Sequence, residues 1–174
     1  MNYIQIKKNC KGYNIDCPGT PKGMPIPPST CVRFSHGIPG FEQVRQWRFT
    51  ANVDVHPFLH MSADDESVRF VCIEAFRICP GYRLYLPFSS STPLAITAQS
   101  RIAVLSIVTV GDKPEDTTAN LMSPIVVNVD ARQGEQAIAE SSPYPLKYRI
   151  WDSLQLSETE TEEEPQDELL AAMG

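Results

Sequence analysis

His56 and His60 stand four residues apart in the stretch HPFLH, and Asp64, Asp65 and Glu66 follow just downstream. Imidazoles and carboxylates are ligand types of catalytic metal centres, where the bound ion acts as a Lewis acid or activates a water. The order of the residues argues against such a centre. Pro57 disfavours helix at His56, so the two rings are not set on one helical face, and the whole run reads as a polar loop. Five cysteines, Cys10, Cys17, Cys31, Cys72 and Cys79, are odd in number and contain no Cys-x-x-Cys pair of the zinc-ribbon kind. Cys72 and Cys79 fall in or beside apolar runs, where a free thiol behaves as a small hydrophobe. Cys10 and Cys17 flank a Gly/Pro-rich stretch, and a metal or a disulfide between them stays open. No residue set assembles a nucleophile with its base, so the expectation is a protein with no catalytic residue, no metal and no cofactor.

Charge narrows the partners. The 174 residues carry 15 Lys and Arg against 21 Asp and Glu, a formal net charge of −6. The scattered basic residues form no positive stripe for phosphate contacts, which excludes direct nucleic-acid binding as a reading. No apolar run approaches the roughly 18 to 20 residues that span a bilayer, and Met1 to Cys10 has no apolar signal core. The expectation is a cytoplasmic protein without a membrane partner. Its length suits one domain with a sizeable core.

The elements that must position any site read as β. Ile102 to Val110 is a nine-residue apolar, β-branched run without glycine or proline, the pattern of a central buried strand. Val68 to Phe76 reads alike. Tyr82 to Phe88 follows the Pro80-Gly81 turn, so the two are expected as consecutive antiparallel strands. Further strands are expected at Tyr3 to Lys8, Cys31 to Phe34, Gln46 to Ala51, Pro124 to Val129, Glu135 to Ala139 and Leu146 to Trp151. Pro114 followed by Glu115 and Asp116 fits the start of a single helical turn. Cys17 to Ser29 is too rich in proline and glycine for anything but loop or extended edge. Many short strands joined by turns indicate an all-β barrel or sandwich spanning residues 1–152. Residues 153–174 hold seven acids and no Lys or Arg, and read as an acidic, solvated and disordered tail.

Two loops combine turn and apolar residues. In HGIPGFE, Gly37 and Gly40 bracket Ile38-Pro39 and permit backbone angles closed to other residues, while Phe41 can anchor in the core. The stretch is either a plain turn or a contact loop with Ile38 as an exposed knob. In ANLMSPIVVN, Asn120 is expected to fix the entry of a bent strand through its side chain, and Pro124 suits a strand start.

Three ordered motifs carry a resemblance. FSHGIPGFE (Phe34 to Glu42), FVCIEAFRICPGYRLYL (Phe70 to Leu86) and AVLSIVTVGDKPEDTTANLMSPIVVNVDARQGEQ (Ala103 to Gln136) are similar to the hallmarks of the flagellar assembly factor FliW family. The resemblance covers most of Cys31 to Trp151, and the acidic tail goes beyond where most members end. It implies a compact, mainly antiparallel β barrel with short helical turns. It also implies a non-enzyme that binds flagellin and the RNA-binding translational regulator CsrA, freeing flagellin translation from repression. The candidate protein-binding residues are Ile38, Pro39, Phe41 and Glu42 in the first loop and Asn120, Met122 and Pro124 in the second. A small-ligand-binding barrel is the alternative, and it requires an apolar pocket with convergent polar groups.

Overall fold

The computed structural model describes residues 3–6, 25–51, 53–87, 93–138 and 142–159. Cys10, Cys17, most of the Pro/Gly-rich stretch and residues 160–174 lie outside the described residues.

Among the described residues eleven strands and two α-helices follow in order: β1 (Tyr3–Ile6), β2 (Thr30–Phe34), β3 (Gln46–Ala51), β4 (Leu59–Ala63), β5 (Arg69–Glu74), α1 (Ala75–Ile78), β6 (Leu84–Pro87), β7 (Ile102–Thr109), β8 (Thr118–Ala119), β9 (Ile125–Asn128), β10 (Gln133–Gln136), β11 (Tyr148–Arg149) and α2 (Trp151–Thr159). Seven of them close a barrel in the order β7-β5-β4-β3-β2-β10-β9, with β9 returning to β7. Every barrel pairing is antiparallel except β2 with β10, where Gly134 lies level with Phe34. Strand β7 serves twice. Its first half, Ile102 to Leu105, pairs with β9 to shut the barrel, and its last residues pair with β8, which carries β11.

Alternation along the strands sorts the apolar residues into two cores. Val32, Phe34, Trp47, Phe49, Met61 and Leu105 come from β2, β3, β4 and β7 and point inward, each 2% exposed or less. Trp47 sits 5.6 Å from Phe70 and 6.2 Å from Phe34, ring centre to ring centre. Each such burial stabilises the fold by roughly 1.5 to 3 kcal/mol. Ile73, Val104 and Val126, one residue out of phase, point the other way and form an outer core with Phe76, Tyr82 and Leu121. A strand buried on both faces shows no polar alternation, which is why β7 reads as an unbroken apolar run. Aromatic and aliphatic side chains of these strands pack together in the inner core.

Several expectations need correction. The run Val68 to Phe76 does not remain a strand: it ends at Glu74, and Ala75–Ile78 forms the helical turn α1. Ala75, Phe76 and Ile78 are all buried, and a short run buried all round reads alike as strand or helix. Nor does β5 pair with the strand after Pro80-Gly81. Its two edges are taken by β4 and β7, while β6 pairs with β1 in a separate ribbon. The polar loop read around His60 is instead β4, where Leu59, Met61 and Ala63 face the inner core between His60 and Ser62. The strand expected at Leu146 to Trp151 shrinks to β11, and Trp151 opens α2, which extends past Asp152. The 3-10 turn Pro114–Asp116 forms with proline in its first turn, as its sequence indicates.

Candidate protein-binding site

Antiparallel register places the loops. β10 runs parallel to β2 and antiparallel to β9, so the end of β2, the end of β10 and the start of β9 share one end of the barrel. The HGIPGFE loop leaves β2 there, and the Asn120 to Pro124 loop enters β9 there. The topology therefore gathers both motif loops at one barrel end.

The first loop is held from within. Gly37 and Gly40 adopt φ of 74° and 85°, the left-handed region open to glycine. Phe41 N–H donates to the Ile38 carbonyl at 2.7 Å, and the Arg45 guanidinium donates to the Ser35 carbonyl. Ile38 is 3% exposed and belongs to the inner core, so the exposed-knob reading is corrected: its side chain plugs the barrel end. Phe41 is half-buried and meets Phe70 edge-on at 5.5 Å. Pro39 and Glu42 remain exposed. The Gly40 N–H donates to Glu42 Oε1 at 2.9 Å, and this bond above all holds the Glu42 carboxyl below the usual range.

The second loop is built around its asparagine. Asn120 N–H donates to the Ile107 carbonyl at 2.9 Å, and its Oδ1 accepts from Ser123 N–H at 2.9 Å, which turns the chain into β9. Pro124 is buried, its carbonyl accepting from Ala137 N–H at 2.8 Å; Met122 is half-buried. Of the seven candidates, then, Ile38 and Pro124 are buried, Phe41, Asn120 and Met122 are half-buried, and Pro39 and Glu42 are exposed.

The histidine stretch disperses. His60 lies on β4 opposite Val71 and Thr50, and Asp64 pairs with Arg48 at 2.8 Å. Asp65 accepts from Ser67 N–H and Oγ at 3.0 and 2.6 Å, and these bonds lower its pKa. Partial burial, with Arg77 nearby, lowers the pKa of His56. Among the described residues no three His, Cys, Asp or Glu side chains come together in a metal-binding group. Cys31, Cys72 and Cys79 are free thiols, and burial pushes Cys72 up to about 12. Among the described residues no helix is long and apolar enough to cross a membrane.

Comparison with known proteins gives a consistent picture. The family model described as FliW protein matches residues 22–150. The chain belongs to the FliW family. It is 38% identical over 120 residues to the flagellar assembly factor FliW of Geobacillus thermodenitrificans (strain NG80-2), covering 69% of this chain and 83% of that relative. The corresponding protein of Caldicellulosiruptor saccharolyticus is 33% identical over 124 residues, 71% of this chain and 81% of its own length. A crystal structure of the flagellar assembly factor FliW superposes with a TM-score of 0.65 at 37% identity, covering 70% of this chain and 86% of that one.

Two features lie outside what sequence reasoning singled out. Asn128, 1% exposed, donates through Nδ2 to the carbonyls of Leu94 and Ala95 at 2.9 and 3.0 Å. A polar residue closing the apolar run IVVN was the signal for it. The FliW match ends at Ile150, one residue before α2, and α2 walls an apolar groove of about 400 Å³. Phe58, Val71, Val108, Val110, Trp151 and Leu154 line it. These residues are scattered along the chain, and no local pattern joins them.

Proposed function

We propose that this FliW family chain is a flagellar assembly factor that works in the cytoplasm by binding flagellin and the regulator CsrA, and that occupancy by one partner or the other sets flagellin translation. It acts by protein contact and performs no reaction. The family membership over most of the chain carries the reading. The gathering of both motif loops at one barrel end supports placing the contact there. Pro39, Met122 and Glu42 form its outward face, with Ile38, Phe41, Asn120 and Pro124 fixing the backbone beneath. A carboxylate kept ionised by a backbone N–H suits a partner that presents the basic surface RNA binding requires.

The test mixes the purified chain with flagellin and, separately, with CsrA of the same organism, reading complex formation by size exclusion and calorimetry. A stoichiometric complex with at least one of them is expected. Glu42→Lys combined with Pro39→Asp is expected to weaken it, with only a small fall in melting temperature from loss of the exposed Gly40–Glu42 bond. No complex with either partner at micromolar concentration ends the proposal, and full binding by the double variant moves the contact elsewhere.

A further inference from the structure

The groove beside α2 joins an apolar lining to an acidic rim. Val110 is 68% exposed and Trp151 36% exposed, and both flank a cleft that also takes in Phe58, Val71, Val108 and Leu154. Large apolar side chains grouped at water mark an interaction surface. Around them stand the exposed carboxylates of Asp112, Glu115, Asp116 and Asp152. Asp112 lines the groove, and Asp116 packs so closely on Gly111, another lining residue, that a Cβ added to Gly111 falls 2.7 Å from the Asp116 Cβ. Asp152 follows Trp151 in the first turn of α2. Two cations oppose these acids, Lys113 and Arg149, and Arg149 Nη2 donates to the Glu115 carbonyl at 3.0 Å. Among the described residues the ion pairs are Arg48–Asp64 and Arg101–Asp130, and neither involves the rim. Residues 1–152 hold 15 basic side chains and, once the seven acids of 153–174 are taken from the 21, 14 acidic ones. The rim is thus a local excess of negative charge on a nearly balanced body.

We infer that this groove is the docking site for a basic amphipathic helix of another protein, whose apolar face seats on Val110, Trp151 and Leu154 while its Lys or Arg side chains reach the acidic rim. Charge decides among the occupants. Among the described residues α2 is the exposed helix that a second copy can offer, and it carries Asp152 and no Lys or Arg. Residues 153–174, with seven acids and no Lys or Arg, have the wrong sign as well. A small ligand needs several polar groups converging inside the cleft. The Thr117 hydroxyl, a polar group of the lining, already accepts from Gly111 N–H at 3.2 Å. The dimensions suit a helix. α2 gives the groove a wall of nine residues, about 13 Å long, which is the span of roughly two to three helical turns and of anchors spaced three, four and seven residues apart. Apolar anchors supply affinity there, and the opposed charges orient the helix and speed its encounter. The inference rests on the groove alone and is independent of the flagellin and CsrA reading.

Titration of the full chain with a defined probe tests it. The probe is a synthetic peptide of about 14 residues with leucine at every third or fourth position and lysine elsewhere. Its controls are the same composition scrambled, so that the leucines leave one face, and a version with glutamate for lysine. The chain has two tryptophans; Trp47 is wholly buried, so Trp151 reports on the groove. The Leu/Lys peptide is expected to shift Trp151 emission to the blue and to lower its quenching by acrylamide, saturating at one peptide per chain. V110S is expected to weaken binding about tenfold by removing an apolar contact. D112K/D152K is expected to weaken it about tenfold at low salt and less at physiological salt. All three positions are exposed, and melting of each variant is read alongside. Equal binding by the scrambled peptide overturns the inference, because charge alone then accounts for it. Tight binding of the glutamate peptide, or undiminished binding by both variants, overturns it too. So does Trp151 that is already shielded in the free chain and unmoved by peptide, which assigns the groove to the chain itself. Shielding that grows with protein concentration assigns it to a second copy and overturns it equally.

Discussion

Gly134 lies directly against the ring of Phe34: a Cβ placed on Gly134 falls 2.3 Å from Phe34 Cε2 and 2.6 Å from Cζ. The two residues are also level across the parallel β2–β10 pair that joins distant parts of the chain. Phe34 is wholly buried, so its ring has no free direction in which to retreat. Gly134→Ala is therefore expected to cost about 1 to 3 kcal/mol through overpacking, read as a lowered midpoint in urea. Pairing it with Phe34→Leu is expected to recover part of the loss, and simple additivity of the two would show that the contact is not the cause.

The two glycines of the first loop should differ. Both have positive φ, which costs an alanine roughly 1 to 2 kcal/mol at either position. Gly37 carries a second penalty, because its added Cβ would lie 2.7 Å from the Glu42 Cα, whereas nothing lies within 4 Å of one on Gly40. Gly37→Ala is expected to melt below Gly40→Ala, and Gly40→Val below the natural chain. Equal melting of the two alanine variants contradicts the close approach.

Asn128 and Asn120 are expected to separate by burial. The Asn128 side chain bonds Leu94, Ala95, Ser100 and Ala131 from a site that is 1% exposed. Its removal leaves several groups unpaired and is expected to cost about 1 to 3 kcal/mol. Asn120 is half-buried, with its Oδ1 on Ser123, and water can replace part of what alanine removes. Asn120→Ala is expected to lower the melting temperature less than Asn128→Ala. If Asn120→Ala melted like the natural chain yet lost partner binding, its side chain would be a contact and not a scaffold.

The Arg101–Asp130 pair sets an acid limit. Arg101 donates to Asp130 through Nε at 2.6 Å and through its backbone N–H at 2.7 Å, tying the start of β7 to the end of β9. The guanidinium bond is the main cause of the lowered Asp130 pKa. A folded value below the unfolded one gives stability that is present above the unfolded pKa of about 3.9 and fades as pH falls through the folded value. Asp130→Asn is expected to be less stable at neutral pH, with the gap closing in acid. The pair is partly exposed, at 31% and 42%, so the gap is small and narrows with salt. A gap that persists at pH 2 would assign it to packing.

The residues that were legible in sequence share a simple environment. β3 was readable because Trp47 and Phe49 alternate with exposed Gln46 and Arg48, and β7 because both its faces are covered. β4 was not, since His60 and the acids after Ala63 mask an inward-facing Leu59, Met61 and Ala63. Ile38 shows the limit for sites: loop chemistry was readable from Gly37, Pro39 and Gly40, but the direction of one side chain within the loop depends on the barrel beneath it. Asn120 was readable because its bond to Ser123 is local. The groove was not, because Phe58, Val108 and Trp151 meet only after α2 has packed against the outer core.

The return of β9 to β7 has a consequence for how any other polypeptide can be recognised. Among the described residues each barrel strand has a neighbour on both sides, so the outer strand edges lie off the ring, on β11 and the β1–β6 ribbon, and not on the barrel wall. Recognition by strand addition, which tolerates many sequences because it reads main chain, is thereby set aside at the wall. What the ring presents outward is side chains and loop tips, and these discriminate by shape and charge. Selectivity for a partner then becomes a matter of a few exposed residues, which substitutions can retune without reopening the ring.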